Sequence, residues 1–277
     1  MDELIQRLNE NKMEDTKIYR AYNTRVEQFG TTVICKRLKD LFVPLFKEKD
    51  VTKILVLGMG TLTPISPGSL ANKWQGQHAA LEAIRSVWEE HSKSRLNLPE
   101  LPIYIQDPQY SELDELIAGA GPHNLKVVNC SFGHQMGWAK VDNSTLVMEF
   151  VSGFPTFELS LEVARPVAFF SACLFEAISD DQEPPIPWSF TLRNENHEEI
   201  LIPELGRPRA EFWKIIEQEY EPPKLLNVES LDFGVPGGEV NDRGQPVVSV
   251  GADGQTSPGR PGFSVLGAMP VLYIYRH

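Results

Sequence analysis

The sequence predicts an α/β fold: a doubly wound, mostly parallel sheet with a helical segment before it and a turn-rich extension after it. Three observations carry this. Between residues 50 and 178 short apolar runs of strand length alternate with segments of helical period, the signature of strands joined by crossover helices. Residues 1–49 show only the helical period, and residues 179–277 are rich in Pro, Gly and acidic residues.

In the first segment, VICKRLKDLFVPLF carries Val33, Leu38, Leu41, Phe42 and Leu45 at helical spacings, with Pro44 expected to end or kink the helix. KILVLG (53–58) follows, a β-branched and Leu run with charge before it and glycine after it, which reads as a buried strand. The next helix, over 75–91, is expected to bury Ala80, Leu81, Ile84, Val87 and Trp88 and to show Glu82, Arg85, Ser86 and Glu89 to water. The alternation repeats: LPIYIQDP (101–108) as a strand, SELDELIAGAG (111–121) as a capped helix, LKVVNC (125–130) and STLVMEFV (144–151) as strands. TFELSLEVA then reads as a helix, and PVAFFSACLFEAI (166–178) as a buried helix or strand. Beyond it, RAEFWKIIEQEY (209–220) is helical, PVVSVG is strand-like, and PVLYIYRH reads as a strand at a sheet edge.

Composition excludes several classes. The chain of 277 residues is 42% hydrophobic and 23% charged, ordinary for a globular protein. Its most apolar stretch, 166–178, falls short of the roughly 20 residues a membrane span needs. The N-terminal stretch has acidic residues throughout and lacks the apolar region of a secretory signal, so a cytoplasmic location is expected and no membrane partner. Cys35, Cys130 and Cys173 are widely spaced, without CxxC or Cys/His ligand spacing, which argues against a disulfide framework or a structural zinc site; no metal is implied. A net charge of −12 disfavours the whole surface as a nucleic-acid binder. Residues 1–53 nevertheless hold 11 Lys+Arg against 9 Asp+Glu. A polyanion would meet the patch around Arg20, Arg25, Lys36, Arg37 and Lys39, which otherwise reads as the solvated face of ordinary helices.

The candidate chemistry lies at the ends of the predicted strands. Gly58 and Gly60 allow positive φ and close approach of backbone N–H groups to a ligand, or simply let the chain turn. The loop lacks the third glycine of GxGxxG and is too long for a dinucleotide turn, so a nicotinamide cofactor is not expected. It carries Thr61, Thr63, Ser66 and Ser69, and the following helix opens with Gln75, Gln77 and His78. A hydroxyl between a strand end and a helix N-terminus suits a covalent acyl acceptor, with His78 as a base; the same residues also suit helix caps. Asp107 ends the second strand, where an acid accepts hydrogen bonds from a ligand or starts an Asp-Pro turn. Glu149 is a carboxylate inside an apolar strand, which either meets a cation or stands at the strand's open end. Glu158 and Glu162 share a helix face that would flank a cationic substrate or meet solvent.

These features together carry a resemblance. LGMGT (57–61), Gln77 in QGQHAALEAI, IQDPQY (105–110) and STLVMEFV (144–151) resemble the recurring motifs of the Sensitivity to Red Light Reduced-like domain. The likeness spans residues 50–178 and departs where that family's fourth strand ends in Pro-His-Cys and this one continues Glu149-Phe150-Val151. The departure directs attention to a group the chain resembles within that family, the fungal arginine-containing cyclodipeptide synthases, which join two aminoacyl groups from charged tRNAs. The resemblance implies a Rossmann-like domain at 50–178, a helical preface at 1–49 and a C-terminal extension at 179–277. It implies Arg-tRNA and a second charged tRNA as partners, with no DNA and no cofactor. Thr61, Ser66 or Ser69 would accept the first aminoacyl group. Glu149 or Asp107 would hold the amine or the guanidinium, with Gly58, Gly60, Gln77, His78 and Glu158 lining the substrate site. Two other expectations compete: an S-adenosylmethionine-dependent transferase, and a regulatory protein without catalysis.

Overall fold

The computed structural model describes residues 13–62, 71–120, 124–128, 137–150, 156–171, 190–193, 199–202, 210–222, 224–226 and 271–276. In chain order these form α1 (Met13–Gly30), α2 (Val33–Glu48), β1 (Lys53–Leu57), α3 (Ala71–His91), α4 (Lys93–Leu96) and β2 (Ile103–Gln106). There follow α5 (Glu112–Gly119), β3 (Lys126–Val127), a 3₁₀ turn (Trp138–Lys140), β4 (Thr145–Glu149), α6 (Thr156–Val163) and β5 (Ala168–Ser171). The rest are β6 (Phe190–Arg193), β7 (Glu199–Ile202), α7 (Ala210–Glu219), β8 (Lys224–Leu225) and β9 (Val271–Ile274). The main sheet has seven strands in the order β3-β2-β1-β4-β5-β9-β8. From β3 to β5 every neighbouring pair is parallel. β9 and β8 extend that sheet antiparallel.

The alternation along β1 explains why the sheet is covered on both faces. Ile54 and Val56 join one core cluster with Tyr22 and Phe29 of α1, Leu38 and Phe42 of α2, and Leu81, Ile84 and Trp88 of α3. Leu55 and Leu57 point the other way, into a cluster with Trp138, Leu161 of α6, and Ile216 of α7. A strand buried on both faces reads as an unbroken apolar run, which is why KILVL was legible. Each fully buried Leu, Ile or Phe in these layers stabilises by about 1.5–3 kcal/mol.

The helices before β1 follow from local signals. Thr32 caps α2, its hydroxyl accepting from the Cys35 backbone N–H at 3.0 Å. Pro44 does not end the helix as its ring alone would predict: α2 continues to Glu48. Proline removes one N–H donor, and the carbonyl that loses it belongs to Asp40, an exposed residue, so the loss costs less than it would in the core. Buried Phe42, Leu45 and Phe46 hold the helix to the core on both sides of that gap, Phe42 against Phe170 of β5 with ring centroids 5.3 Å apart. α1 runs alongside α3 in the same direction, since Tyr22 meets His78 and Gly30 shares a cleft with His91. The foot of α3 is tied to α2 and the start of β1: Ser92 Oγ donates to the Phe46 carbonyl at 2.6 Å and Trp88 Nε1 to the Val51 carbonyl at 2.8 Å.

Arg85, expected to face water, is instead buried beside Glu82, and two further features differ from the sequence expectation. The strand expected at a sheet edge is interior: β9 lies between β5 and β8. Its apolar Leu272 and Ile274 are buried, consistent with neighbours on both sides. β6 and β7 form a separate antiparallel pair where the sequence reading saw only Pro-rich, acidic chain. PVAFFSACLFEAI resolves as a strand at Ala168–Ser171. Its remainder from 172, and PVVSVG, lie outside the described residues.

The entry to β4 supplies a pH-dependent anchor. Lys53 Nζ donates to Asp142 Oδ2 at 2.6 Å, while the Ser144 N–H, the Ser144 hydroxyl and the Thr145 hydroxyl donate to Oδ1 at 3.0, 2.8 and 2.8 Å. Partial burial raises the Asp142 carboxyl, but these donors outweigh it and lower the group to about 2 from 3.8. A carboxyl depressed on folding contributes stability above its unfolded value, and the contribution is lost as pH falls through the folded one. Asp142→Asn is therefore expected to cost most above pH 3.8 and progressively less toward pH 2, followed by urea unfolding across that window. A difference that stays constant with pH would show that the carboxylate's charge is not what holds β4.

Candidate active site

The strand order reverses beside β1, which has β2 on one side and β4 on the other. At such a switch point the loops after neighbouring strands diverge and leave a crevice at the carboxyl edge. Leu57, the last residue of β1, pairs with Gln106 on one side and Glu149 on the other. Gln106 and Glu149 are thus two strand spacings apart, about 10 Å, a width that suits a small molecule.

The β1 wall leaves the strand through Gly58 and Gly60, at φ of 71° and 70°. Side chains with a Cβ rarely adopt this conformation, so the two glycines are required by the turn itself. The loop is then tied to the segment after β2. Asp107 Oδ2 accepts from the Gly60 N–H at 2.7 Å and Oδ1 from the Gln109 N–H at 2.8 Å. Burial raises the Asp107 carboxyl, and the two backbone donors oppose that shift.

Asp114, at the start of α5, forms the second tie. It is fully buried and accepts from the Thr61 hydroxyl at 2.8 Å, the Leu62 N–H at 2.7 Å, and the Ser111 N–H and hydroxyl at 2.7 Å each. The Ser111 hydroxyl in turn accepts from the Asp114 N–H, a capping box that starts α5. The Thr61 hydroxyl is 2% exposed and serves this tie. Gln106 fixes a third strand-end: its Oε1 accepts from the Gly137 N–H at 2.8 Å. A Cβ on Gly137 would stand 2.2 Å from that oxygen, so any other residue there would push the Gln106 side chain aside.

No family model, curated protein or solved structure matches the chain. The site is therefore read from its own residues. Glu149 ends β4 with 4% exposure, next to Phe150, whose N–H donates to the Leu57 carbonyl at 3.1 Å. Gln77 and His78 are buried in the second turn of α3. Gln77 precedes Leu81, Ile84 and Trp88 on the sheet-facing row, and its Oε1 has no hydrogen-bond partner among the described residues. His78 Nε2 lies 3.0 Å from the Tyr110 hydroxyl. Gly58, Gly60, Thr61, Gln77, His78, Asp107 and Glu149 thus gather at one edge of the sheet. Ser66 and Ser69 lie outside the described residues, as does the side chain of Glu158.

The basic residues lie elsewhere. Lys36 and Lys39 line a cleft of about 320 Å³ with Cys35, Asp40, Glu90 and His91. This is the far end of α3 from His78, about 20 Å away at 1.5 Å per residue. Arg20 and Arg37 are exposed, and Arg25 is half-buried, with a buried Nη1 that makes no hydrogen bond among the described residues. A groove of about 670 Å³ at the amino edge of the sheet is lined by Glu48, Asp50 and Asp142. Asp50 pairs with Arg95 and Asp142 with Lys53, so this groove is a structural seam.

Sequence reading missed Asp114, Tyr110 and Gln106. Asp114 had a readable signal in Ser-x-x-Asp, which marks a capping box; its link to Thr61 spans 53 positions and had none. Among the described residues no group of three or more His, Cys, Asp or Glu is arranged to hold a metal ion, and no helix is long and apolar enough to cross a membrane.

Proposed function

We propose that the chain is a tRNA-dependent cyclodipeptide synthase, joining an arginyl and a second aminoacyl group from their charged tRNAs into a diketopiperazine. The observation that carries this reading is Glu149, a buried carboxylate at the carboxyl end of β4, one strand from the glycine loop of β1. A carboxylate there is the natural partner of a guanidinium or an α-amine, which it meets through charge-assisted hydrogen bonds. The order β3-β2-β1-β4-β5 supports a Rossmann-like reading of the domain, and the motifs at 57–61, 105–110 and 144–151 support its kinship with the Sensitivity to Red Light Reduced-like group. The separation of Lys36 and Lys39 from the crevice suits a ligand long enough to touch both, as tRNA is. Ser66 or Ser69 takes the acyl group in this reading, since the Thr61 hydroxyl already serves Asp114.

The test is mass spectrometry of small molecules from a heterologous host expressing the chain, beside Glu149→Gln, Ser66→Ala, Ser69→Ala and Thr61→Ala versions. A new arginine-containing diketopiperazine, lost in Glu149→Gln, is expected. A folded wild-type protein that yields no new product would favour a regulatory protein without catalysis. The commitment of both Asp107 oxygens to backbone N–H groups gives that second reading its support.

A further inference from the structure

An aminoacyl transfer needs a group that moves a proton, and the hydroxyl nearest the glycine loop is unsuited to it. Thr61 is 2% exposed and its hydroxyl donates to Asp114, inside the wall of the site. Tyr110 is different. It ends the turn after β2, with its N–H donating to the Asp107 carbonyl at 3.2 Å, and that turn is held to Gly60 through the Asp107 side chain. The residue is half-buried, its ring packs against the core, and its hydroxyl lies 3.0 Å from Nε2 of fully buried His78. The imidazole is fixed between two aromatic rings, Tyr22 from α1 at 6.1 Å and 86°, and Tyr110 at 6.1 Å and 67°. A tyrosine of a half-buried turn, its hydroxyl within hydrogen-bond reach of a buried, immobilised imidazole, is an arrangement general acid–base chemistry uses.

We propose that Tyr110 and His78 form the proton relay of the crevice, with Tyr110 the group that meets the reacting ester and His78 the group that positions it. The proposal rests on the aminoacyl-transfer reading above. In the bond-forming step the α-amine of one aminoacyl group attacks the ester carbonyl of the other. A C–N bond forms, the C–O bond to the tRNA ribose breaks, the amine loses a proton and the ribose oxygen gains one. Tyr110 passes its phenolic proton to the departing oxygen as it takes the amine proton, so the phenol ends unchanged and no other reactant is needed. In the tautomer that carries its proton on Nε2, His78 donates to the phenol oxygen and stabilises the charge that develops on it during the exchange.

The test uses the full chain with Arg-tRNA and total aminoacylated tRNA, comparing wild type, Tyr110→Phe and His78→Gln. Turnover is measured as diketopiperazine formed, and binding as retention of charged tRNA. Tyr110→Phe is expected to lower turnover by about 10²–10⁴-fold, the usual contribution of a positioned acid–base group, while charged tRNA is retained as by the wild type. His78→Gln, whose amide still bonds the phenol, is expected to fall between the two. An active wild type matched within about threefold by Tyr110→Phe overturns the relay and leaves the synthase reading standing. Loss of turnover and of tRNA retention to the same extent also overturns it, since the residue then only binds. A wild type that makes no product removes both readings. Should Tyr110→Phe not fold, wild-type turnover in His78→Leu, which leaves the phenol without its imidazole partner, is the overturning result.

Discussion

Deletion of residues 271–276 is expected to abolish cooperative folding of the whole sheet, not to fray one edge of it. β9 pairs with β5 along Ala168–Ser171 and with β8 on its other side, so its removal strips β8 of its partner and β5 of one of its two. Leu272, Tyr273 and Ile274 are at most 6% exposed. Burial of such side chains contributes about 1.5–3 kcal/mol each, a sum comparable to the net stability of about 5–15 kcal/mol that a typical domain possesses. Phe169, stacked near Tyr220, and Phe170, packed on Phe42, would lose the strand beside them. Far-UV circular dichroism during heating reads the outcome. A cooperative transition within a few degrees of wild type would show that the parallel strands stand alone.

Asp114→Ala is expected to destabilise the protein by about 3–5 kcal/mol, the range for breaking a buried, charge-assisted network. The carboxylate is completely buried and accepts from Thr61, Leu62 and Ser111, so its removal leaves several buried donors unsatisfied and uncaps α5. Asp114→Asn keeps the shape but turns one acceptor oxygen into a donor facing other donors, and is expected to lose about half as much. Urea unfolding of both variants measures this. A loss below about 1 kcal/mol in Asp114→Ala would mean that water replaces the carboxylate, and that the tie between the two loops is weak.

Much of the fold was legible because parallel strands buried on both faces cannot alternate polar with apolar. KILVL, IYIQ, TLVME and AFFS stand out for that reason, and so do the helices between them. β8 and the β6–β7 pair were not legible, since strands of two and four residues in Pro-rich chain leave no period to read. The interior position of β9 was hidden for another reason: local sequence shows that a segment is a strand, whereas its neighbours are a matter of topology. The same division holds at the site. Glu149 could be found because a charge in an apolar strand demands a reason, and the glycines because a strand ended on them. Asp114 and Tyr110 act through partners tens of positions away, Thr61 and His78. Nothing local to either residue announces such a contact.

The ties through Asp107 and Asp114 make residues 58–62 and 107–114 a single mechanical body, because neither loop can shift without breaking buried bonds to the other. A ligand that meets residues 58–62 and 107–114 therefore meets a surface already tied together, and little ordering entropy is spent on those residues on binding. Whatever adjustment a larger or smaller side chain demands must fall on the opposite side, where β4 ends. Under the aminoacyl-transfer reading proposed above, discrimination between one side chain and another is expected to be written in the neighbourhood of Glu149 and Phe150, while the glycine turn and its anchors treat every arrival alike.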